Sequence, residues 1–184
     1  MIFSNISSID PAKGLIDFIA AVEMLDNKEN LFFEIVGKAS EVNEPFEKKL
    51  RQTIVEKELG AFVGMKGFIA DIKAYLETVD VVVLTSVTEE ALPTVLIESI
   101  ARGKTIIATD VGGVREIVEV GYGNIIVPPN DPKALKEALK MTAAYSPQKL
   151  KSIGETNISL AKERFLLRSQ LDAMERLYLE LCRK

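Results

Sequence analysis

Residues 85–113 read TSVTEEALPTVLIESIARGKTIIATDVGG. They follow Val81-Val82-Val83-Leu84, an apolar run without period-2 alternation. Such a run is the pattern of a strand buried on both faces, as in a parallel sheet covered by helices on each side. After it come an acidic loop with Glu89 and Glu90, then Pro93 and a helical stretch carrying Glu98, then a second apolar run ending in Gly112-Gly113. Pro93 is expected in the first helical turn, where its missing N–H costs nothing. The amides of Thr94 and Val95 would then be unpaired donors at a helix N-terminus, ready for an anion. Strand, loop, helix and strand in that order predict one unit of a doubly wound α/β fold.

The same alternation extends outward. Apolar, β-branched-rich runs at 2–6, 31–36, 62–65, 81–84, 105–108 and 124–127 are each followed by helical spacing, which predicts a Rossmann-like parallel sheet of about six strands. Residues 132–141, 147–165 and 167–181 read as helices with no strand between them, an α-helical tail. No repeat, low-complexity segment or Gly/Ser linker interrupts the chain, so residues 1–184 are expected to form one domain.

Composition removes several function classes. With 184 residues, 47% of them hydrophobic, the chain can bury one substantial core. A net charge of -4 argues against a nucleic-acid partner. Histidine is absent, which removes Ser-His-Asp and Cys-His catalysis and His-ligated zinc. The single cysteine, Cys182, cannot form an internal disulfide, and no apolar run is long enough to span a bilayer, so the expected location is the cytoplasm. There is no Asp-x-Asp, no Walker-type loop and no G-x-G-x-x-G after a strand, so neither a metal site nor a dinucleotide cofactor is expected.

In an open parallel sheet, ligands gather at the carboxyl ends of the strands. Loop 7–14, SSIDPAKG, places Lys13 at the start of a helix, where a cation opposes the dipole unless an anion shares the site. Lys13 is therefore either a phosphate-holding cation or a solvated surface lysine. Loop 37–40, GKAS, reads as a turn that needs glycine. Loop 67–71, GFIAD, offers Phe68 and Ile69 either to the core or to a flat ring. Two glutamates eight positions apart arise readily by chance among 27 acidic residues, so Glu90 and Glu98 alone do not separate a site from two solvated charges. Carboxylates beside an anion would repel it unless they accept hydrogen bonds from hydroxyls, as a sugar would supply.

The stretch EEALPTVLIESIARGKTIIATDVGGVREIV at 89–118 resembles the E-x7-E region of retaining GT-B glycosyltransferases of the glycosyltransferase 4 type. DPAKG (10–14), GMKGFI (64–69) and VPPNDPKAL (127–135) resemble, in turn, that family's lysine motif, its strand leading to the base-binding loop, and its approach to the closing helices. The resemblance covers the whole chain and implies the C-terminal, donor-binding half of the GT-B fold, with the N-terminal, acceptor-binding half absent. It implies a nucleotide-diphosphate sugar as donor, a glycan or lipid-linked acceptor, transfer with retention and no metal, and membrane contact only through the other half.

Residue by residue, the resemblance implies Glu90 as the catalytic carboxylate contacting the donor sugar and Glu98 as the residue binding the ribose hydroxyls. The amides of Thr94 and Val95 would meet the pyrophosphate beside Leu92, Lys13 would neutralise it, and Phe68 with Ile69 would border the base. Two departures stand out: Ser8 occupies the place where many members carry an arginine, and Ser7 the place where glycine is usual. Other readings are a binding subunit of a bipartite transferase, an epimerase or phosphorylase half on the same fold, and a plain receiver- or flavodoxin-like module.

Overall fold

The computed structural model describes residues 1–182. Six strands, β1 (Ile2–Ile6), β2 (Phe32–Val36), β3 (Val63–Gly67), β4 (Val81–Leu84), β5 (Thr105–Thr109) and β6 (Ile125–Val127), match the six apolar runs to within three residues at each end. They form one sheet of order β3-β2-β1-β4-β5-β6, every pairing parallel. This is the doubly wound order, in which the direction of winding reverses between β1 and β4.

Alternate residues of β1, β4, β5 and β6 feed two cores, while β2 and β3 feed the first alone. Phe3, Phe33, Val81, Val83 and Ile107 pack on one face against α1 (Leu15–Glu23), α2 (Glu44–Glu56) and α6 (Pro132–Ala143) through Leu15, Phe18, Leu50 and Leu139. Phe3 and Phe33 stack with ring centroids 5.2 Å apart. On the other face Val82, Leu84, Ile106 and Ala108 meet α3 (Ile72–Glu77), α4 (Thr94–Ala101), α5 (Val114–Ile117) and α7 (Pro147–Arg164) through Leu76, Leu96, Ile100, Ile117 and Leu160. All four β4 residues are buried, as the missing alternation predicted. Each such side chain contributes about 1.5–3 kcal/mol of burial.

The last helix, α8 (Leu167–Cys182), differs from the rest because none of its side chains is buried. No helix among the described residues is long and apolar enough to cross a membrane.

Candidate functional site at the β1–β4 switch point

Where the winding reverses, the loops after β1 and β4 diverge and leave a crevice. A relay of hydrogen bonds holds its two walls together. Ser7 Oγ donates to Asn5 Oδ1 (2.9 Å), Asn5 Nδ2 to Thr85 Oγ1 (2.8 Å), and Thr85 Oγ1 to the carbonyl of Lys13 (2.7 Å). Asn5 and Thr85 are buried, so an unmade bond in this relay would carry a desolvation penalty of about 1–3 kcal/mol. Val87 N–H donates to the Ala12 carbonyl at 2.9 Å. Gly14 closes the seam: its φ is +61°, and a Cβ there would lie 1.9 Å from the Thr85 carbonyl oxygen.

Asp10 fixes the lysine loop by accepting from Ala12 N–H at 2.8 Å and Asn43 Nδ2 at 2.7 Å. Lys13 is not at the start of the first helix, as expected from the sequence, but ends a short 3-10 turn, Pro11–Lys13, ahead of α1. The turn aims the side chain across the seam, where Lys13 Nζ pairs with Glu90 Oε1. Glu90 Oε1 also accepts from Ser86 Oγ at 2.7 Å. Glu90 Oε2 has no protein hydrogen-bond partner among the described residues and remains free to accept from a ligand hydroxyl.

The Gly112-Gly113 pair holds the Glu90 backbone. Gly113 N–H donates to the Glu90 carbonyl at 2.8 Å. Gly112 has φ +48°, and a Cβ there would sit 2.1 Å from that oxygen; one on Gly113 would sit 2.4 Å from the Ala91 carbonyl. Only glycine lets the loop after β5 lie this close to the loop after β4.

Pro93 is the N-cap of α4 rather than its first helical residue, because the helix begins at Thr94. The expectation for the donors survives that shift. Thr94 and Val95 are the first two helical residues, and their amides have no intrahelical acceptor. Together with Ser7, Ser8, Lys13, Glu90 and Leu92 they line a cleft of about 240 Å³.

A second cavity of about 490 Å³ adjoins it over Ile6, Ser7 and Ser8. Phe68, Ile69 and Ile72 form its apolar side, with the Gly37–Ser40 loop opposite. Phe68 is 67% exposed, so it is not a core residue. Lys38 Nζ lies 5.4 Å from the centroid of its ring. Glu98, exposed on α4, faces a third depression with Ala70, Asp71, Ile72 and Lys73 rather than the cleft of Glu90. The structure therefore gathers Lys13, Glu90, Leu92, Thr94 and Val95 in one place, Phe68 and Ile69 next door, and Glu98 beyond Ile72.

Sequence reasoning missed Ser86, Thr85 and Lys38. Lys38 follows the end of β2, the strand beside β1 in the sheet, but that adjacency comes from the strand order. Below the second cavity, Tyr75 of α3 donates to Glu34 Oε2 at 2.5 Å and lies 2.7 Å from Ser4 Oγ, while Lys66 Nζ lies 2.8 Å from Glu34 Oε1. Burial, and after it the hydrogen bond to Glu34, pushes the Tyr75 hydroxyl well above the usual phenol range.

A lysine at the end of a 3-10 turn, a helix N-terminus and a carboxylate held by a hydroxyl and that lysine thus come together at the switch point. The family model for glycosyl transferases group 1 matches residues 1–157. The chain belongs to that family. Among group 1 relatives it is 33% identical over 150 residues to the glycosyltransferase WcaL of Escherichia coli (strain K12), named for colanic acid biosynthesis, covering 77% of this chain and 35% of that protein. It is 27% identical over 143 residues to the amylovoran biosynthesis glycosyltransferase AmsK of Erwinia amylovora, covering 73% of this chain and 34% of AmsK. The chain thus spans about a third of the length of these relatives.

Among solved structures, Anabaena HepE in complex with UDP and glucose superposes with a TM-score of 0.87 at 26% identity, over 96% of this chain and 48% of HepE. The C-terminal domain of the group 1 protein LpcC from Francisella tularensis superposes with a TM-score of 0.79 at 24% identity, over 90% of this chain and 86% of that domain. The architecture is accordingly one Rossmann-like half of a GT-B fold.

Proposed function

We propose that this chain is the donor-binding half of a retaining, metal-independent glycosyltransferase that takes a sugar from a nucleotide diphosphate to a glycan or lipid-linked acceptor. The observation that carries the reading is the single cleft in which Lys13, Glu90 and the first amides of α4 converge beside an apolar cavity. HepE was solved with UDP and glucose, and the colanic acid and amylovoran biosynthesis names of WcaL and AmsK support polysaccharide biosynthesis as the setting.

In this reading the diphosphate lies on the Thr94 and Val95 amides. The α4 dipole supplies roughly 0.3–1 kcal/mol of that hold, too little alone, so Lys13 is drawn from Glu90 onto the phosphates. Glu90 Oε2 accepts from a sugar hydroxyl and orients the ring. Phe68 and Ile69 border the base, Leu92 borders the sugar-phosphate and Glu98 takes the ribose hydroxyls. As the sugar-to-phosphate bond breaks, Lys13 and the helix amides meet the charge that grows on the leaving diphosphate, and the acceptor hydroxyl bonds to the same face of the sugar carbon while giving its proton to the departing phosphate oxygen. Because those groups carry the charge, transfer is expected to survive chelation of divalent ions.

An open half-site cannot exclude water from the sugar carbon, so catalysis requires an acceptor-binding half to close over it. Helix α8 favours such a partner. Leu167, Leu171, Met174, Tyr178 and Leu181 recur at alternating spacings of four and three, an a/d stripe, and all are at least half exposed. The acceptor-binding half, on the same or a separate chain, is the occupant we assign to it.

Thermal unfolding with UDP, GDP, ADP and their sugars at about 10 mM tests the reading. A Kd near 1 mM stabilises by about 1.4 kcal/mol, or roughly 3–6 °C for a domain of this size. A shift with at least one nucleotide is expected; none with any would overturn the donor-site reading.

A further inference from the structure

A sugar-linked diphosphate carries a negative charge on each phosphorus, and the cleft that would receive it is short of positive charge. Lys13 is already paired with Glu90, and that pair has no net charge. Position 8, on the floor shared by the two cavities, is a serine. Among the described residues the other lysine lining these two cavities is Lys38, and it makes no ion pair there.

Lys38 is well placed to serve. Its carbonyl accepts from Ile9 N–H at 3.1 Å, and the preceding Gly37 lies so close to the β1 loop that a Cβ would be 1.8 Å from the Ser7 carbonyl oxygen. The backbone of Lys38 is therefore fastened beside Ser8, at the junction of the apolar cavity and the diphosphate cleft. Among the described residues its ammonium makes no ion pair, and it lies over the exposed ring of Phe68. An ammonium on an exposed ring is weakly held and sits on a flexible four-carbon stem, so side-chain rotation alone can re-aim it. A base stacking on that face of Phe68 would have to displace it.

We propose that Lys38 is the second cation of the diphosphate site, parked on Phe68 while the site is empty and delivered to the phosphates when the base takes the ring. The proposal rests on the donor-site reading. Base binding and charge neutralisation become coupled through one side chain: the nucleoside end of the donor releases the cation that its phosphate end needs.

The test is calorimetric titration with whichever of UDP, GDP or ADP gives the largest thermal shift, and with the corresponding nucleoside. Lys38→Met is expected to weaken the diphosphate by about tenfold, the scale of one charge-assisted hydrogen bond, while the nucleoside changes by less than about twofold. Lys38→Arg is expected to restore most of the loss, and raising the salt should weaken the unmodified chain more than Lys38→Met. Equal losses for nucleoside and diphosphate would assign Lys38 to the base alone and overturn the proposal, as would no loss for either. If the unmodified chain binds no nucleotide, the donor-site reading falls first and this proposal with it.

Discussion

The two ends of the crevice are built in opposite ways. The loop after β4 is cross-linked: Glu90 is held through its side chain by Ser86 and Lys13 and through its carbonyl by Gly113, with Gly112 packed against it. The loop after β3 is open, with Phe68 largely exposed and no atom within 4 Å of where a Cβ on Gly67 would lie. On the proposed function the first loop would place a carboxylate against a reacting sugar, where preorganisation avoids rearrangement during reaction. On the same proposal the second would have only to offer a face to a flat ring, which stacking tolerates loosely. Rigidity is concentrated at the end where the chemistry would occur.

Substitutions at matched glycines should break this contrast most sharply. Gly112→Ala combines a left-handed backbone with a collision against the Glu90 carbonyl, and is expected to cost about 2–4 kcal/mol in urea unfolding. Gly67→Ala, with φ +73° but open space around it, should cost only the backbone term, about 1 kcal/mol. Equal costs would mean that the loop after β4 is no more constrained than its counterpart.

Smaller effects are expected from the carboxylates. Glu90→Gln should remove about tenfold of the affinity that the sugar adds to its nucleotide. Binding of the free nucleotide should hold or tighten, because Lys13 is released from its partner. Glu98→Ala, outside the Glu90 cleft, should instead weaken nucleotide and nucleotide-sugar alike, by about fivefold for one lost ribose hydrogen bond. Identical ratios in the two variants, measured by titration with both ligands, would erase the division of roles.

The smallest effect concerns what supports the open loop. Tyr75 joins α3, the helix after that loop, to Ser4 and Glu34 in the sheet. Its hydroxyl is held protonated in the folded state, whereas the unfolded chain ionises near the ordinary phenol value of about 10. The resulting stabilisation is fully present below about pH 10 and is lost as pH rises toward the higher folded-state value. The stability gap between the unmodified protein and Tyr75→Phe should therefore shrink by roughly 1 kcal/mol between about pH 9 and pH 11. A constant gap would mean that the hydroxyl is not selectively protonated by the fold.

Much of this was legible in the chain. The unbroken Val81–Leu84 run gave a doubly buried strand because hydrophobic period reports burial directly. The amides of Thr94 and Val95 were legible because any helix leaves its first donors unpaired. Lys13 was legible as a residue but not as a partner of Glu90, since 77 positions separate them. Lys38 was hidden in a loop that reads as a simple turn. Gly112-Gly113 was visible as a motif, while its purpose, a backbone approach to Glu90, depends on a contact across two loops.

By itself, the sequence determined the alternation of six strands and their helices, the absence of histidine and the helix end whose first amides lack an intrahelical partner, because these follow from local period, composition and capping. The tertiary structure alone decided that β1 and β4 lie side by side, that Lys13 meets Glu90 across that seam, that Lys38 rests on Phe68 at its edge, and that Glu98 faces another depression. Strand order is a property of how the two cores close around the sheet. Residues far apart in the chain acquire a common chemistry only once that order is set.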